Sequence, residues 1–339
     1  MINETVSTLN LRAGDWVEVR SIDEILATLD ETQALDRLPF MPEMVQYCGK
    51  RFRVSRSAHK TCDTVESFLI RRAEHVVHLE NLRCDGQGHD GCQQRCLIYW
   101  KEAWLKRVAD AHDAQTTTAT SVSPELIEPL RRATRVDDPS GGEPQYRCQC
   151  TDVRKFTTLV RRRHRWDPRF YVKDLTSGNV TLGQFLIFGA RAMVNAFGRR
   201  WFNRRFPHIQ GRATGKTPTL DLNLQVGELV RIRSKAEIEE TISPKQFNRG
   251  LWFDIEMVSY CNRTARVLSR VNRIIDEKTG KMMTLPTPSV ILDGVVCTGH
   301  NSVDRMFCPR SIYPYWREIW LKRVESCDRV TAHPGSPRL

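Results

Sequence analysis

The stretch Trp100-Lys-Glu-Ala-Trp-Leu-Lys-Arg-Val108 occurs twice in the chain, because Trp316-Arg-Glu-Ile-Trp-Leu-Lys-Arg-Val324 repeats seven of its nine residues. An eighth position keeps its positive charge. A cysteine-bearing segment precedes each copy. Such a match near opposite ends of one chain indicates an internal duplication.

The duplication extends far upstream of these stretches. The segment Leu9–Ser21 aligns without a gap to Leu222–Ser234, which lies 213 residues later. Each continues into a short helical pattern that its serine is placed to cap. Beyond Cys84 the offset grows to 216, so the second copy carries an insertion there. The pairs that remain identical in between are Phe40/Phe253, Glu43/Glu256, Met44/Met257, Val45/Val258, Tyr47/Tyr260, Cys48/Cys261 and Cys84/Cys297.

Each copy is predicted to be mainly β with added helices, an α+β fold. In the first copy, alternation of apolar and polar residues predicts strands at 16–20, 51–56 and 76–82. A last strand or helical turn is expected at 97–105. Short strands punctuated by glycines are typical of a small, strongly bent barrel.

A family resemblance sharpens this prediction. The order Gly14-Asp-Trp-Val-Glu-Val-Arg20, then Gly49-Lys-Arg-Phe-Arg-Val54, then a closing segment rich in Trp and Leu resembles an SH3-like barrel. More narrowly, it is similar to the C-terminal barrel of nitrile hydratase beta subunits. The resemblance implies two tandem SH3-like barrels. The inserted cysteines depart from the family's pattern, so the resemblance carries the fold and not the activity.

These patterns divide the chain into five segments. Between the copies the sequence first has linker composition and then becomes basic. The predicted segments are a first cysteine-rich barrel at 9–108, a linker at 109–147 with a short helix at 124–133, a basic, partly helical connecting region at 148–220, a second barrel at 221–325 and a disordered tail at 326–339.

Positive charge is concentrated in the middle of the chain. The net charge is +12, and residues 152–205 hold 13 Lys or Arg against three Asp. A basic segment of this kind favours an acidic partner. The N-terminus has no signal-peptide pattern, and no run approaches the about 20 apolar residues that span a bilayer. A cytoplasmic location, with peripheral membrane contact as an option, is expected.

The eleven cysteines point to free thiols or metal ligands rather than to disulfides. The richest segment is Cys84-Asp-Gly-Gln-Gly-His-Asp-Gly-Cys92-Gln-Gln-Arg-Cys96, where small residues let the backbone wrap an ion. Zinc or, alternatively, an iron–sulfur cluster fits such thiolates. Buried, metal-free thiols are the competing interpretation. The ligands predicted in the first copy are Cys48, Cys84, Cys92 and Cys96, with Cys62 or His89 as substitutes.

The second copy keeps fewer of these ligands. Ile275 and Ile312 stand where the first copy has Cys62 and Cys96. Cys148-Gln-Cys150, at the end of the linker, has no partner nearby in the sequence and is assigned no metal. The candidate ligands of the second copy are Cys261, Cys297, Cys308 and, as the fourth, His300.

A helix predicted at 182–200 is strongly apolar, and arginines and aromatic residues follow it. Three interpretations stay open: a buried helix, a helix lying on an anionic membrane surface, and a nucleic-acid contact. A protein partner is the further option for the basic region. The residues assigned to partner binding are Arg161, Arg162, Arg163, Arg165, Trp201, Arg204 and Arg205.

The sequence carries no nucleophile elbow, P-loop, zincin motif or dinucleotide fingerprint. We therefore expect a metal-stapled, tandem-barrel binding or scaffold protein that engages an acidic partner or surface. The alternative is a metal- or iron–sulfur-dependent enzyme, or its accessory subunit, with its active centre in the first copy.

Overall fold

The computed structural model describes residues 9–67, 69–109, 124–160, 168–202, 207–301 and 305–324. The protein is mixed α+β, with most strands in small antiparallel sheets and few helices, which confirms the predicted class. Its described residues fall into two compact units. Unit 1 draws on 1–206, 273–284 and 297–312, and unit 2 on 207–272, 285–296 and 313–339.

The strands of the first copy and of the middle region come first in the chain. Their bounds are β1 Trp16–Val19, β2 Ala34–Leu35, β3 Leu38–Pro39, β4 Arg51–Ser57, β5 Lys60–Cys62, β6 Ile70–Arg72, β7 Val76–Leu79, β8 Trp100–Lys101, β9 Leu105–Arg107, β10 Arg135–Val136, β11 Gln145–Tyr146 and β12 Thr158–Leu159.

The second copy repeats the main elements of the first. Its strands are β13 Leu229–Ile232, β14 Phe247–Asn248, β15 Leu251–Trp252, β16 Thr264–Ile275, β17 Met282–Leu292, β18 Trp316–Arg317 and β19 Leu321–Arg323. The helices of the chain are α1 Ile22–Leu26, α2 Pro124–Thr134, α3 Pro168–Thr176, α4 Leu182–Phe202 and α5 Lys235–Glu239.

Each copy builds a five-stranded antiparallel sheet with the same strand order. The first sheet runs β8-β7-β4-β1-β9, and the second runs β18-β17-β16-β13-β19. The central pairings correspond, since Val17 lies opposite Phe52 and Val230 lies opposite Ala265. Within the described ranges no ladder joins the two edge strands, so each sheet is open rather than a closed barrel.

The duplicated tryptophan stretch lies in the core of each sheet. Trp100, Trp104, Trp316 and Trp320 are all fully buried. Phe40 packs edge-on against Trp104 with ring centroids 5.2 Å apart. Its equivalent, Phe253, packs in the same way at 5.3 Å from Trp320. The duplicated stretch therefore supplies equivalent core residues to both copies.

The short helices that follow the first strand of each copy are closed by capping boxes. The Ser21 hydroxyl accepts from the Glu24 amide, and the Glu24 carboxylate accepts from the Ser21 amide. Ser234 and Glu237 make the same two bonds in α5. These reciprocal bonds satisfy amides that the first helical turn leaves unpaired. The serine caps expected from the sequence are confirmed.

Helix α4 packs one face inside unit 1 and exposes the other. Phe188 stacks on His300, with ring centroids 3.8 Å apart, and Phe185 stacks on Phe307 at 5.9 Å. No helix in the described ranges is long and apolar enough to cross a membrane. The exposed large apolar side chains of α4 are Leu182, Leu186, Ile187, Met193, Val194 and Phe197.

Candidate metal centre

A cavity in unit 1 is lined by five cysteines. Three belong to the segment 84–96, and two belong to Cys148-Gln-Cys150. All the cysteines that the structure describes are free thiols. The cavity is completed by Met41, Glu43, His89, Gln94, Arg95, Leu97, Ile98 and Gln149.

The segment 84–96 forms a closed loop that turns its thiols inward. The Cys84 amide donates to the Cys96 carbonyl at 2.8 Å, and the Gly91 amide donates to the Gly86 carbonyl at 2.9 Å. Gly86 has φ +80°, and a Cβ there would lie 2.1 Å from the Cys92 carbonyl oxygen. Only glycine fits this position, because it both tolerates positive φ and lets the backbone approach closely. We call this loop knuckle 1.

The second contributor is the turn at Cys148–Asp152. The Asp152 amide donates to the Cys148 carbonyl at 3.0 Å. Between the two cysteines, the Gln149 side chain accepts from the Tyr99 amide at 2.8 Å and donates to the Tyr99 carbonyl at 3.0 Å. This two-point anchor holds the turn against the chain that leaves knuckle 1, so Cys148 and Cys150 face its thiols.

Cys150 is the electrostatic centre of the cluster. Hydrogen bonds from the Cys148 and Cys96 thiols hold its pKa well below the ordinary value, and the guanidinium of Arg310 lowers it further. The same hydrogen bonds, together with burial, raise the pKa of Cys96 and of Cys148. Cys150 is thus the thiol of this cluster that most readily loses its proton to form a thiolate. A soft cation would replace the thiol protons.

Arg310 is a buried cation next to this thiolate. Its guanidinium donates to the Thr64 hydroxyl at 2.7 Å and pairs with the Glu277 carboxylate at 3.0 Å. Burial raises the pKa of Glu277, against the opposing effect of Arg310. The oxygen and sulfur atoms of Glu277, Cys96 and Cys150 all lie within 4.8 Å of one another.

A second group of donors lies on the other wall of the cavity. Glu43, Cys84 and His89 bring one ligand atom each within 4.8 Å of the others. The Cys84 sulfur is 3.4 Å from Nε2 of His89. Burial, and then the charge of Glu43, raise the pKa of Cys84 well above its ordinary value. Glu43 Oε2 and His89 Nδ1 are buried and have no hydrogen-bond partner in the described part of the chain.

The second copy forms a loop of the same shape, which we call knuckle 2, at 297–312. The Cys297 amide donates to the Ile312 carbonyl at 2.7 Å, as Cys84 does to Cys96. Gly299 has φ +67°, and a Cβ there would lie 2.7 Å from the Arg305 carbonyl oxygen and 2.8 Å from the Cys308 nitrogen. Cys308 is buried and packs in one cluster with Cys62, and the Cys62 thiol lowers its pKa.

The remaining predicted ligands lie elsewhere. Cys48 and Cys261 are half-buried at the ends of equivalent 3₁₀ helices, and burial raises the pKa of each to about 11. Cys48 is not among the residues that line the cavity. His300 stacks on Phe188, and burial lowers its pKa to about 4.

Most residues assigned to partner binding lie outside the described ranges. These are Arg161, Arg162, Arg163, Arg165, Arg204 and Arg205. Trp201 lies in the last turn of α4, where the backbone alone is described.

Sequence reasoning missed Cys148, Cys150, Arg310 and Glu277. The cysteine pair stands 52 residues or more from knuckle 1 in the sequence, so spacing alone gave no signal. No family model matches the chain, and neither a curated protein nor a solved structure matches it. The chemistry of the site is therefore the basis for its function.

Proposed function

We propose that the protein is a zinc-stapled binding protein, in which four of the five cavity thiols hold one ion. The observation that carries this proposal is the convergence of five free thiols from two separate segments on one cavity. Thiolates select zinc or iron–sulfur clusters over hard cations. In this proposal the four thiolates of a structural zinc ion come from Cys92 and Cys96, which have three residues between them, and from Cys148 and Cys150, which have one.

The donor set favours a structural role over a catalytic one. Catalytic zinc sites have three protein ligands and an open position, whereas four thiolates fill the shell of the ion. When bound, zinc cross-links the loop and the linker turn. Cys150 serves as the ligand whose pKa its surroundings lower, and Arg310 offsets the negative charge of the centre. Glu43 and His89 are the partners for the Cys84 side of the site.

The scaffold around the staple is, in this proposal, a pair of SH3-like barrels. The support comes from the strand order. In the first sheet β1 lies between β4 and β9, and in the second sheet β13 lies between β16 and β19. A single 3₁₀ turn, Glu102–Trp104 in one copy and Glu318–Trp320 in the other, separates the last two strands. The resemblance to the nitrile hydratase beta-subunit barrel rests on the same features.

The binding surface of the proposal is the exposed face of α4, and its partner is an anionic membrane surface. At 3.6 residues per turn, the six exposed apolar side chains cover an arc of about 140°. The helix contains no Asp or Glu and three Arg. An apolar face accompanied by positive charge is typical of helices that lie in the headgroup region of anionic membranes. A contact with protein or nucleic acid is the competing outcome.

Metal analysis of the full chain, purified without oxygen, tests the staple. We expect stoichiometric zinc, no visible absorption, and unfolding when a strong chelator removes the ion. A brown, oxygen-sensitive chromophore with iron would instead support the iron–sulfur or enzyme alternative. Absence of both metals, with the thiols reacting only after denaturation, would contradict every metal proposal for this cavity.

Flotation with liposomes tests the surface. The full chain should float with vesicles of phosphatidylserine and phosphatidylcholine at low salt, and less with neutral vesicles. Replacing Leu186 and Val194 by Gln should weaken flotation by about tenfold or more, since each buried apolar side chain contributes about 1.5–3 kcal/mol. The control is Leu126→Gln, an exposed leucine on α2. A chain that stays in solution with anionic vesicles at low salt removes the membrane partner.

A further inference from the structure

Knuckle 1 and knuckle 2 have the same backbone, although their cysteine content differs. The Gly91 amide bonds to Gly86, and the Phe307 amide bonds to Gly299, at 2.9 and 3.1 Å. Phe307 has a positive φ of 58°, and the equivalent residue Gly91 has a φ of 74°. The second loop therefore keeps a strained conformation without the glycine that eases it. Such strain persists where the surrounding structure requires the conformation.

The two knuckles also make reciprocal contacts inside unit 1. The Gln94 side-chain amide donates to the Ile275 carbonyl at 3.0 Å. Its equivalent in knuckle 2 is Arg310, which donates to the carbonyl of Cys62 at 3.2 Å. Cys62 is in turn the equivalent of Ile275. Each knuckle thus bonds to the end of an inner strand of the other copy.

Because each knuckle contacts a strand of the other copy, this arrangement determines which thiols lie close together. Opposite Cys92 of knuckle 1 stands Ile275, whose amide donates to the Cys92 sulfur at 3.4 Å. At the equivalent place opposite Cys308 stands Cys62, and the two buried side chains belong to one packed cluster. The cysteine that appeared to be an extra of the first copy is therefore positioned for knuckle 2.

We propose that Cys62, Cys297 and Cys308 form a second metal site, separate from the five-thiol cluster and assembled from both copies. Cys62 from strand β5 and Cys308 belong to one buried cluster. Cys297 and Cys308 correspond to Cys84 and Cys92. In the described part of the chain the three sulfur atoms are not all within 4.8 Å of one another, so the ion draws Cys297 towards the other two thiols when it binds. The ion is a thiophilic one, zinc in the first instance. Three thiolates leave one position of a tetrahedral ion to water or another small ligand.

Cys62 and Cys308 are buried, so a metal centre with negatively charged thiolates there requires a positive charge nearby. Arg310 is 3% exposed and bonds directly to the Cys62 backbone. The same arginine lies beside Cys150. One buried cation therefore lies between the two thiol groups. This position ties the sites together electrostatically and accounts for a buried arginine in knuckle 2, where knuckle 1 has the neutral Gln94.

The test is the number of metal ions per chain. Native mass spectrometry of the full chain should show two zinc ions. Cys62→Ser and Cys308→Ser should each lower the count to one, whereas Cys150→Ser should remove only the ion of the first cluster. The control, Cys48→Ser, should keep both ions, because Cys48 neither lines the cavity of the first cluster nor belongs to the cluster of Cys62 and Cys308.

A cadmium-substituted sample covers the case in which a variant fails to fold. Wild-type protein loaded with ¹¹³Cd should give two thiolate-shifted resonances. One ion and one resonance, unaffected by Cys62→Ser, would overturn the second site and leave the first intact. A Cys62–Cys308 disulfide in protein purified without oxygen would overturn it as well. Absence of any bound metal would contradict both sites.

Discussion

Thr64 and Glu277 occupy equivalent positions in the two copies, 213 residues apart, and the Thr64 hydroxyl donates to the Glu277 carboxylate. Contacts between equivalent residues, and contacts of one residue with a second that are repeated the other way round, are typical of an interface with two-fold symmetry. The reciprocal bonds of Gln94 with Ile275 and of Arg310 with Cys62 obey the same relation. Within unit 1, the inner segments of the copies therefore meet as the subunits of a homodimer would.

The two knuckle glycines give a first prediction. Gly86→Ala and Gly299→Ala should each cost several kcal/mol and release the metal of their own knuckle, because the new Cβ overlaps backbone atoms at 2.8 Å or less. Thermal unfolding and metal content measure both effects. The control is Gly49→Ala, where φ is +72° but nothing lies within 4 Å of the new Cβ. That variant should lose only about 1 kcal/mol. Equal losses at the three positions would contradict the account of the knuckles.

The buried ion pair beside the thiolate gives a second prediction. Arg310→Leu leaves the carboxylate of Glu277 uncompensated and should destabilise the protein by about 3–5 kcal/mol. The double variant with Glu277→Leu should recover much of this loss, because neither charge then remains buried alone. Urea unfolding of the single and double variants measures the coupling. Additive losses would show that the two side chains act independently.

The α+β class and several strands and helices of each copy were predictable from the sequence, whereas the predicted barrel is an open sheet in the described ranges. Strands were expected at 16–20, 51–56 and 76–82, and β1, β4 and β7 lie there. The helix expected at 182–200 is α4, and the one expected at 124–133 is α2. Local patterns such as the capping serines and apolar alternation are sufficient for these elements, since neighbouring residues determine them.

The site was less predictable, because it depends on contacts between distant residues. In the sequence, Cys62 aligns with an isoleucine of the second copy, so its partner is not evident. In the structure, knuckle 2 contacts strand β5 of the first copy, and Cys62 lies against Cys308. The pKa of Cys150 is lowered by Cys148, Cys96 and Arg310, and Arg310 lies 160 residues further along the chain. Sequence spacing carries no information about such tertiary pairs.

The duplicated carboxylates next to the tryptophans give a third prediction. The Glu102 carboxylate accepts from the Asn10 and Leu11 amides, both at 3.0 Å. Glu102→Gln turns one acceptor into a donor and should cost about 1.5–3 kcal/mol. In the second copy Glu318 also pairs with Arg270 at 3.1 Å, so Glu318→Gln should cost more. Denaturant unfolding compares the two variants, and an equal or reversed order would contradict this reading.

Buried His78 gives a prediction about pH. Its Nδ1–H donates to the Ile98 carbonyl at 2.8 Å, and burial lowers its pKa to about 3. Between pH 3 and the unfolded value near 6.5 the unfolded chain binds more protons, so stability is full above about pH 6.5 and falls as the pH drops. One proton corresponds to about 1.4 kcal/mol per pH unit, or about 2 kcal/mol at pH 5.

The variant His78→Gln isolates this contribution. It should be less stable than wild type at pH 7.5, and the difference should shrink by about 2 kcal/mol at pH 5, because glutamine does not titrate. Urea unfolding at both pH values provides the comparison. If the stability of wild type and variant depends on pH in the same way, a neutral, buried His78 is ruled out as the source of the loss of stability at acidic pH.

The central claim, a thiolate metal centre built from knuckle 1 and the Cys148 turn, is tested most directly by zinc X-ray absorption on the full chain. The account predicts a first shell dominated by sulfur at about 2.3 Å, with about four sulfur atoms for the first site. Replacement of Cys150 by Ser should lower the sulfur count or release that ion. A first shell of nitrogen and oxygen alone, or protein that holds no metal, would contradict the claim.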